Sequence, residues 1–171
     1  MSEYTRTEYE RRFVVTGPWR PLGDVVKKRI EDLYIRNTAL RLRVQLDDSG
    51  RRLVKLTKKT PGTEPYTHQL SQIILGYDEF KLFDAMPGDR LAKVRYYVSM
   101  RTEPLRIVAV DVFEGELSGL VLCEIEAESP GALLSLRPPD YATREVTGDP
   151  FFTGGVLCRV PRAELLSRLH A

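Results

Sequence analysis

The chain has 171 residues, 26 Lys and Arg against 24 Asp and Glu, a formal net charge of +2, and 42% hydrophobic and 29% charged residues. That length suits a single domain, residues 1–171, able to bury roughly 70% of its unfolded surface without staples. With no run of about 18 apolar residues, charges in the opening MSEYTRTEYERRF where a signal peptide needs an apolar stretch, and a small net charge, neither a membrane span, secretion, nor a nucleic-acid or membrane partner is expected.

In chain order the sequence reads as short strands separated by turn residues. Strands are expected near 6–15, 29–36, 38–46, 52–59, 67–75, 92–99, 106–114 and 120–128. Asn37 marks the turn between the second and third, and Asp47-Asp48-Ser49-Gly50 is a hairpin signal between the third and fourth. Pro61-Gly62 ends the fourth strand, and Glu114-Gly115-Glu116 leads into a loop before the eighth. A short helix is expected over 21–28. A better one runs over 77–86, with Tyr77, Phe80 and Phe83 on one face and Pro87-Gly88 as its stop. Ser129-Pro130 opens a helix through Leu136, with the serine as cap and proline at the first helical position. A last helix over 161–170 carries Leu165, Leu166 and Leu169 and serves as an appendage or plug.

Cys123 and Cys158 lie outside any CxxC spacing, which fits reduced thiols and a cytoplasmic protein. His68 and His170 are isolated and read as surface or structural residues. Trp19, between Gly17-Pro18 and Pro21, reads as packing a loop. Gly148 and Gly154-Gly155 read as a C-terminal cover, since no strand-then-helix context makes them a phosphate loop.

Successive side chains of a strand point to opposite faces, so each strand shows two faces in its alternation. Here the polar faces are nearly all charge. Glu8, Glu10 and Arg12 share a face of the first strand, Arg41 and Arg43 of the third, Lys55, Thr57 and Lys59 of the fourth, and Lys93, Arg95 and Tyr97 of the sixth. Asp111 stands opposite Val108, Val110 and Val112, and Glu124, Glu126 and Glu128 stand opposite Val121, Cys123 and Ile125. On any one strand this pattern means a solvated face. The strands taken together are sorted by sign, and eight strands suffice to close a barrel. With the apolar faces outward against helices, the expected architecture is α+β but mainly β. It is a closed eight-stranded antiparallel tunnel with a charged lumen, clad by a few short helices.

Such a lumen would hold Arg12, Arg41, Arg43, Lys55, Lys59, Lys93 and Arg95 against Glu8, Glu10, Asp111, Glu124 and Glu126. Two like charges 4 Å apart repel by about 4 kcal/mol at an effective dielectric of 20, so a dense cation cluster calls for a polyanion or water. Arg grips phosphate through a bidentate fork and Lys as a point charge. A carboxylate cluster suits a hard divalent cation, and Mg²⁺ typically joins one or two carboxylates to substrate phosphates.

These residues resemble the CYTH family, the triphosphate tunnel metalloenzymes that join class IV adenylyl cyclases with thiamine triphosphatases. The family's Glu-x-Glu-x-Lys stands as Glu8-Tyr9-Glu10-Arg11-Arg12, followed by Phe13-Val14-Val15. Arg41-Leu42-Arg43, Leu56-Thr57-Lys58-Lys59 and Lys93-Val94-Arg95 match later strands. So do Asp111-Val112-Phe113-Glu114-Gly115, then Gly119-Leu120-Val121-Leu122 with Glu124-Ile125-Glu126, and Glu145-Val146-Thr147-Gly148-Asp149. The resemblance implies hydrolysis of inorganic triphosphate or an organic triphosphate, or binding of polyphosphate, with Mg²⁺ or Mn²⁺. It implies a metal-bound water attacking the terminal phosphorus. Glu8, Glu10, Arg12 and Glu126 would carry the chemistry, and Glu8, Glu10, Asp111, Glu124 and Glu126 would hold metal. Arg12, Arg41, Arg43, Lys55, Lys59, Lys93 and Arg95 would hold phosphate. The state would be a monomer or homodimer.

Two positions depart from the family pattern. Arg12 replaces the hallmark lysine and stays protonated, so it cannot accept a proton. The fifth strand reads Gln69-Leu70-Ser71-Gln72-Ile73, without the alternating carboxylates of many members. Both departures leave open a protein that binds polyphosphate or a phosphorylated nucleotide without turnover. An adenylyl cyclase ranks lowest, for want of a base-recognition site.

Overall fold

The computed structural model describes residues 5–23, 25–100 and 106–170, without the side chain of His170. Residues 1–4 of the opening segment therefore lie outside the described residues, as does the side chain of His170. The described strands are β1 (Thr5–Val15), β2 (Val26–Ile35), β3 (Leu40–Asp47), β4 (Arg52–Pro61), β5 (Thr67–Ile74), β6 (Gly88–Met100), β7 (Arg106–Phe113), β8 (Val121–Ala127) and β9 (Ala142–Glu145). The order around the sheet is β5-β4-β3-β2-β6-β7-β8-β1, all antiparallel, and a β1–β5 pairing joins the two ends. Eight strands thus close into a barrel, and β9 adds to the far stretch of β1.

Local chemistry sets the turns. Asn37 takes a positive φ of 62° in the β2–β3 connection, a conformation that asparagine tolerates better than most residues. In the β3–β4 hairpin the Asp47 carboxylate accepts hydrogen bonds from the backbone N–H groups of Ser49 and Arg51. Of the expected helices, α1 (Tyr77–Asp84), α2 (Pro130–Ser135) and α4 (Arg162–His170) form. Ser129 caps α2 by accepting from the Ala132 N–H.

The helix expected over 21–28 is not formed among the described residues, which leave out residue 24. Gly23 turns the chain with φ 76°, and Val26 already begins β2. The β-branched Val25-Val26 pair and the pairing of β2 with both β3 and β6 outweigh the weak helical pattern. Two elements come without a sequence forecast, β9 and the short helix α3 (Gly154–Leu157). A 3-10 turn over Pro150–Phe152 precedes α3.

Two of the three apolar clusters lie outside the barrel wall, and the third fills one end of the barrel. Leu33, Ile35, Leu42, Val54 and Leu56 pack under α1 through Phe80 and Phe83. Phe13, Val108, Val110, Cys123 and Ile125 pack under α2, joined by Trp19, which meets Tyr96 and Tyr141 edge-on at 5.3 and 6.0 Å. At one end Leu120, Leu122, Phe152, Leu157 and Leu165 form a third cluster that seats α3 and α4 as a plug. Each Leu, Ile or Val so buried contributes roughly 1.5–3 kcal/mol. With stability built on the outer skin, the inner face is free to carry charge.

Candidate active site

The inward faces follow from register. Directly paired residues of neighbouring antiparallel strands share a face. Glu10 pairs Glu126, Arg12 pairs Glu124, Arg43 pairs both Asp32 and Lys55, Arg41 pairs Thr57, and Arg95 pairs Asp111. The tunnel interior is a cavity of about 160 Å³ lined by these rows, save Asp32, Thr57 and Asp111, together with Arg6, Glu8, Lys59 and Lys93. Eight cations (Arg6, Arg12, Arg41, Arg43, Lys55, Lys59, Lys93, Arg95) thus meet six carboxylates (Glu8, Glu10, Asp32, Asp111, Glu124, Glu126) on the inner face or just behind it.

Most of these charges are already partnered. A belt of alternating sign crosses one wall. Lys93 and Arg95 both bind Asp111, the latter through two N–H groups at 2.7 Å. Arg95 also binds Glu124, Glu124 meets Arg12 at 3.3 Å, and Arg12 binds Glu10. Lys59 closes the belt on Glu10 at 3.1 Å and Glu8 at 2.7 Å. Arg12 also donates to the Phe152 carbonyl at 3.0 Å, tying the belt to the plug. Burial favours the neutral form of each acid here, but Arg95 and Lys93 outweigh it and hold Asp111 and Glu124 below the usual carboxylate range.

On β2 and β3 a second pair stands apart. Arg43 donates twice to Asp32, both bonds 2.7 Å. Burial would raise Asp32, yet Arg43 and Arg41 hold it down to about 2. Asp32 escaped the sequence reading because β2 carries charge on both faces, Lys28 and Asp32 inward against Arg29 and Glu31 outward. The signal that could have found it is its register opposite Arg43.

Three carboxylates cluster. One oxygen each from Glu8, Glu10 and Glu126 lies within 4.8 Å of the others. Desolvation, reinforced by the charges of Glu8, Glu124 and Glu10, pushes Glu126 up to about 7. No cation lies within ion-pair distance of Glu126 among the described residues. Arg6, Lys59 and Arg12 already pair with Glu8 and Glu10, so Glu126 is the carboxylate of the trio left without a cation, and its cluster of oxygen donors is chemically suited to a hard divalent cation. Asp111 and Glu124, which the resemblance groups with the metal ligands, face Lys93, Arg95 and Arg12.

The opposite wall is less satisfied. Lys55 has no carboxylate within ion-pair distance among the described residues. Burial and then the cations Arg43, Lys28, Arg6 and Arg41 lower its pKa. Arg41 Nε is 3.9 Å from Asp32 and makes no hydrogen bond, and the buried Thr57 hydroxyl and His68 Nδ1 also lack partners. His68, read from sequence as surface or structural, pairs with Glu8 and lies on the inward face of β5 with Leu70 and Gln72. That face carries no carboxylate. Gly154 of α3 sits so close to Tyr34 that a Cβ there would overlap the Tyr34 hydroxyl, so a larger residue would have to displace that side chain from the seated plug.

No protein-family model matches the chain. Curated relatives do: the chain is similar to inorganic triphosphatases. One from Nitrosomonas europaea is 27% identical over 143 residues, spanning 84% of this chain and 91% of the relative. One from Acetivibrio thermocellus is 29% identical over 156 residues, spanning 90% and 94%. Among solved structures, that of an inorganic triphosphatase matches with a TM-score of 0.56 and 26% identity, over 90% of this chain and 96% of the other. That of a protein described as hypothetical matches with the same TM-score and 28% identity, over 90% and 99%.

Proposed function

We propose that this chain is a metal-dependent triphosphatase that hydrolyses inorganic triphosphate inside the tunnel. One observation carries the reading: the channel sets a carboxylate nest, Glu8, Glu10 and Glu126, across from Lys55, which has no carboxylate partner among the described residues, and Arg41, whose ion pair with Asp32 is long at 3.9 Å. The similarity to proteins named inorganic triphosphatase supports it from a separate direction.

The chain's own residues divide the work. Lys55 and Arg41 make the first phosphate contacts, because neither must give up a close ion pair to do so. Arg43 and Arg95 spend Nε and one terminal nitrogen on Asp32 and Asp111, which fixes each planar fork and leaves the other terminal nitrogen for phosphate oxygen. Pre-aligned donors of this kind stabilise charge spread over a transferring phosphoryl group without reorganising. Glu8, Glu10 and Glu126 would hold Mg²⁺ or Mn²⁺, which when bound supplies charge neutralisation and an acidified water. Arg12 cannot take the proton released by the attacking water. Its bonds to Glu10, Glu124 and the Phe152 carbonyl make it an orienting residue, and the proton falls to a carboxylate.

Arg12 and the uncharged inner face of β5 also favour a second reading, binding of polyphosphate without turnover. Phosphate release from tripolyphosphate, with Mg²⁺ or Mn²⁺ and with a chelator, separates the two. The triphosphatase reading expects release that requires the divalent ion and vanishes in Glu10→Gln. A melting-temperature rise with tripolyphosphate and no release above that variant would replace it with the binding reading.

A further inference from the structure

Lys59 does not face open lumen as Lys55 does. Its ammonium lies 2.7 Å from Glu8 and 3.1 Å from Glu10, so it sits on two of the three acids of the carboxylate nest. A divalent ion and an ammonium drawn to the same two carboxylates repel each other, so each weakens the hold of the other. Three cations touch Glu8 or Glu10 among the described residues, and they are not equivalent. Arg12 is anchored elsewhere as well, by Glu124 at 3.3 Å and by the Phe152 carbonyl at 3.0 Å, so it stays in place whatever Glu10 binds. Arg6 meets Glu8 at 3.2 Å from an exposed position, and an exposed pair of that kind contributes little. Lys59 is the largely buried cation, its side chain 26% exposed, that has no partner besides Glu8 and Glu10 among the described residues.

Lys59 also has somewhere to go. It borders both the tunnel cavity and a neighbouring chamber of about 310 Å³ toward the plug, so its flexible four-carbon stem can swing without displacing a core side chain. Lys55 shares its inward face of β4, four residues earlier. At about 3.3 Å per residue the two lie about 13 Å apart along the strand, a gap that a triphosphate and two long side chains together span.

We propose that Lys59 is the resident counterion of the nest: it covers Glu8 and Glu10 in the metal-free protein, yields them to a divalent cation, and carries its freed charge to substrate phosphate. This role rests on the triphosphatase reading and adds an order of binding to it, the cation before the anion. Lys55 and Arg41 are ready for phosphate at once, whereas Lys59 is held back until the nest is filled. Cation and triphosphate therefore favour each other's binding, by the same factor in both directions.

Binding of Mn²⁺ alone to the whole chain, counted from the paramagnetic resonance signal of the free ion with no phosphate present, tests the first half. Lys59→Met is expected to bind Mn²⁺ about tenfold more tightly than the unsubstituted protein. Lys59→Arg keeps the charge and can grip a carboxylate with two N–H groups, so it is expected to bind Mn²⁺ more weakly. The KM for tripolyphosphate at saturating Mn²⁺ tests the second half. Lys59→Met should raise it about tenfold, while Lys58→Met, on the outer face of the same strand, leaves both quantities unchanged. Mn²⁺ binding no tighter in Lys59→Met, or as tight in Lys59→Arg, would overturn the proposal, and tripolyphosphate hydrolysis by the unsubstituted protein would then still uphold the triphosphatase reading. An unchanged KM in Lys59→Met would overturn the transfer of its charge to phosphate. Tighter Mn²⁺ binding by Lys59→Met, with no tripolyphosphate hydrolysis by the unsubstituted protein, would count against the triphosphatase reading and support Lys59 as the counterion of the nest.

Discussion

The two walls of the tunnel solve the problem of buried charge differently. On the wall built by β6, β7, β8 and β1, charges alternate in a belt from Lys93 through Asp111, Arg95, Glu124 and Arg12 to Glu10, which Lys59 meets from β4. On the wall built by β3, β4 and β5, Lys55 stands without a carboxylate partner among the described residues, and Arg41, Thr57 and His68 carry polar atoms unpaired among them. A satisfied network is rigid and gains little by meeting a ligand, whereas unpaired donors gain most. On the proposed reading the belt sets geometry, and the open wall supplies most of the affinity for an anion.

The largest expected effect breaks the belt. Asp111 is fully buried between Lys93 and Arg95, so Asp111→Asn strands a buried cation and should cost about 3–5 kcal/mol in urea unfolding. Glu145→Gln, which removes the exposed partner of Arg11, should cost about 1 kcal/mol or less. Equal costs for the two would mean that the belt is no more than a set of surface pairs.

A smaller effect sharpens the role of the carboxylate nest. Glu126 is raised to about 7 from the ordinary carboxylate value, so its contribution to stability is present below the ordinary carboxylate pKa. That contribution is lost as pH rises through about 7. Without divalent ions the melting temperature should fall between pH 5 and 8 by an amount that Glu126→Gln removes. Added Mg²⁺ should restore it in the unsubstituted protein, and more strongly at pH 8 than at pH 6. A melting temperature insensitive to Mg²⁺ at both pH values would break the link between this nest and a cation.

Much of this contrast was legible in the amino-acid sequence, because a strand's period of two writes each face as alternate letters. Lys55 and Lys59, Arg41 and Arg43, Glu8 and Glu10 were placed inward by alternation alone, and closure into a barrel followed from the number of such strands. What alternation does not encode is partnership across the lumen. Asp111 and Glu124 are carboxylates on inward faces, and it is register, not alternation, that sets them directly opposite Arg95 and Arg12. Asp32 was hidden by charges on both faces of β2. His68 looked isolated because its neighbour Glu8 lies 60 positions earlier in the chain and meets it only through β1–β5 closure. The plug was illegible for another reason: Gly154-Gly155 is a poor helix former, and α3 exists because Phe152 and Leu157 are buried at the barrel end.

The measurement closest to the central claim is calorimetric titration of tripolyphosphate into Lys55→Met and Lys58→Met. These residues lie three apart on β4, with Lys55 inside the tunnel and Lys58 exposed outside. The charged lumen as binding site predicts a loss of about tenfold in affinity, about 1.4 kcal/mol, for Lys55→Met and no change for Lys58→Met. Equal losses, or none in either, would contradict it.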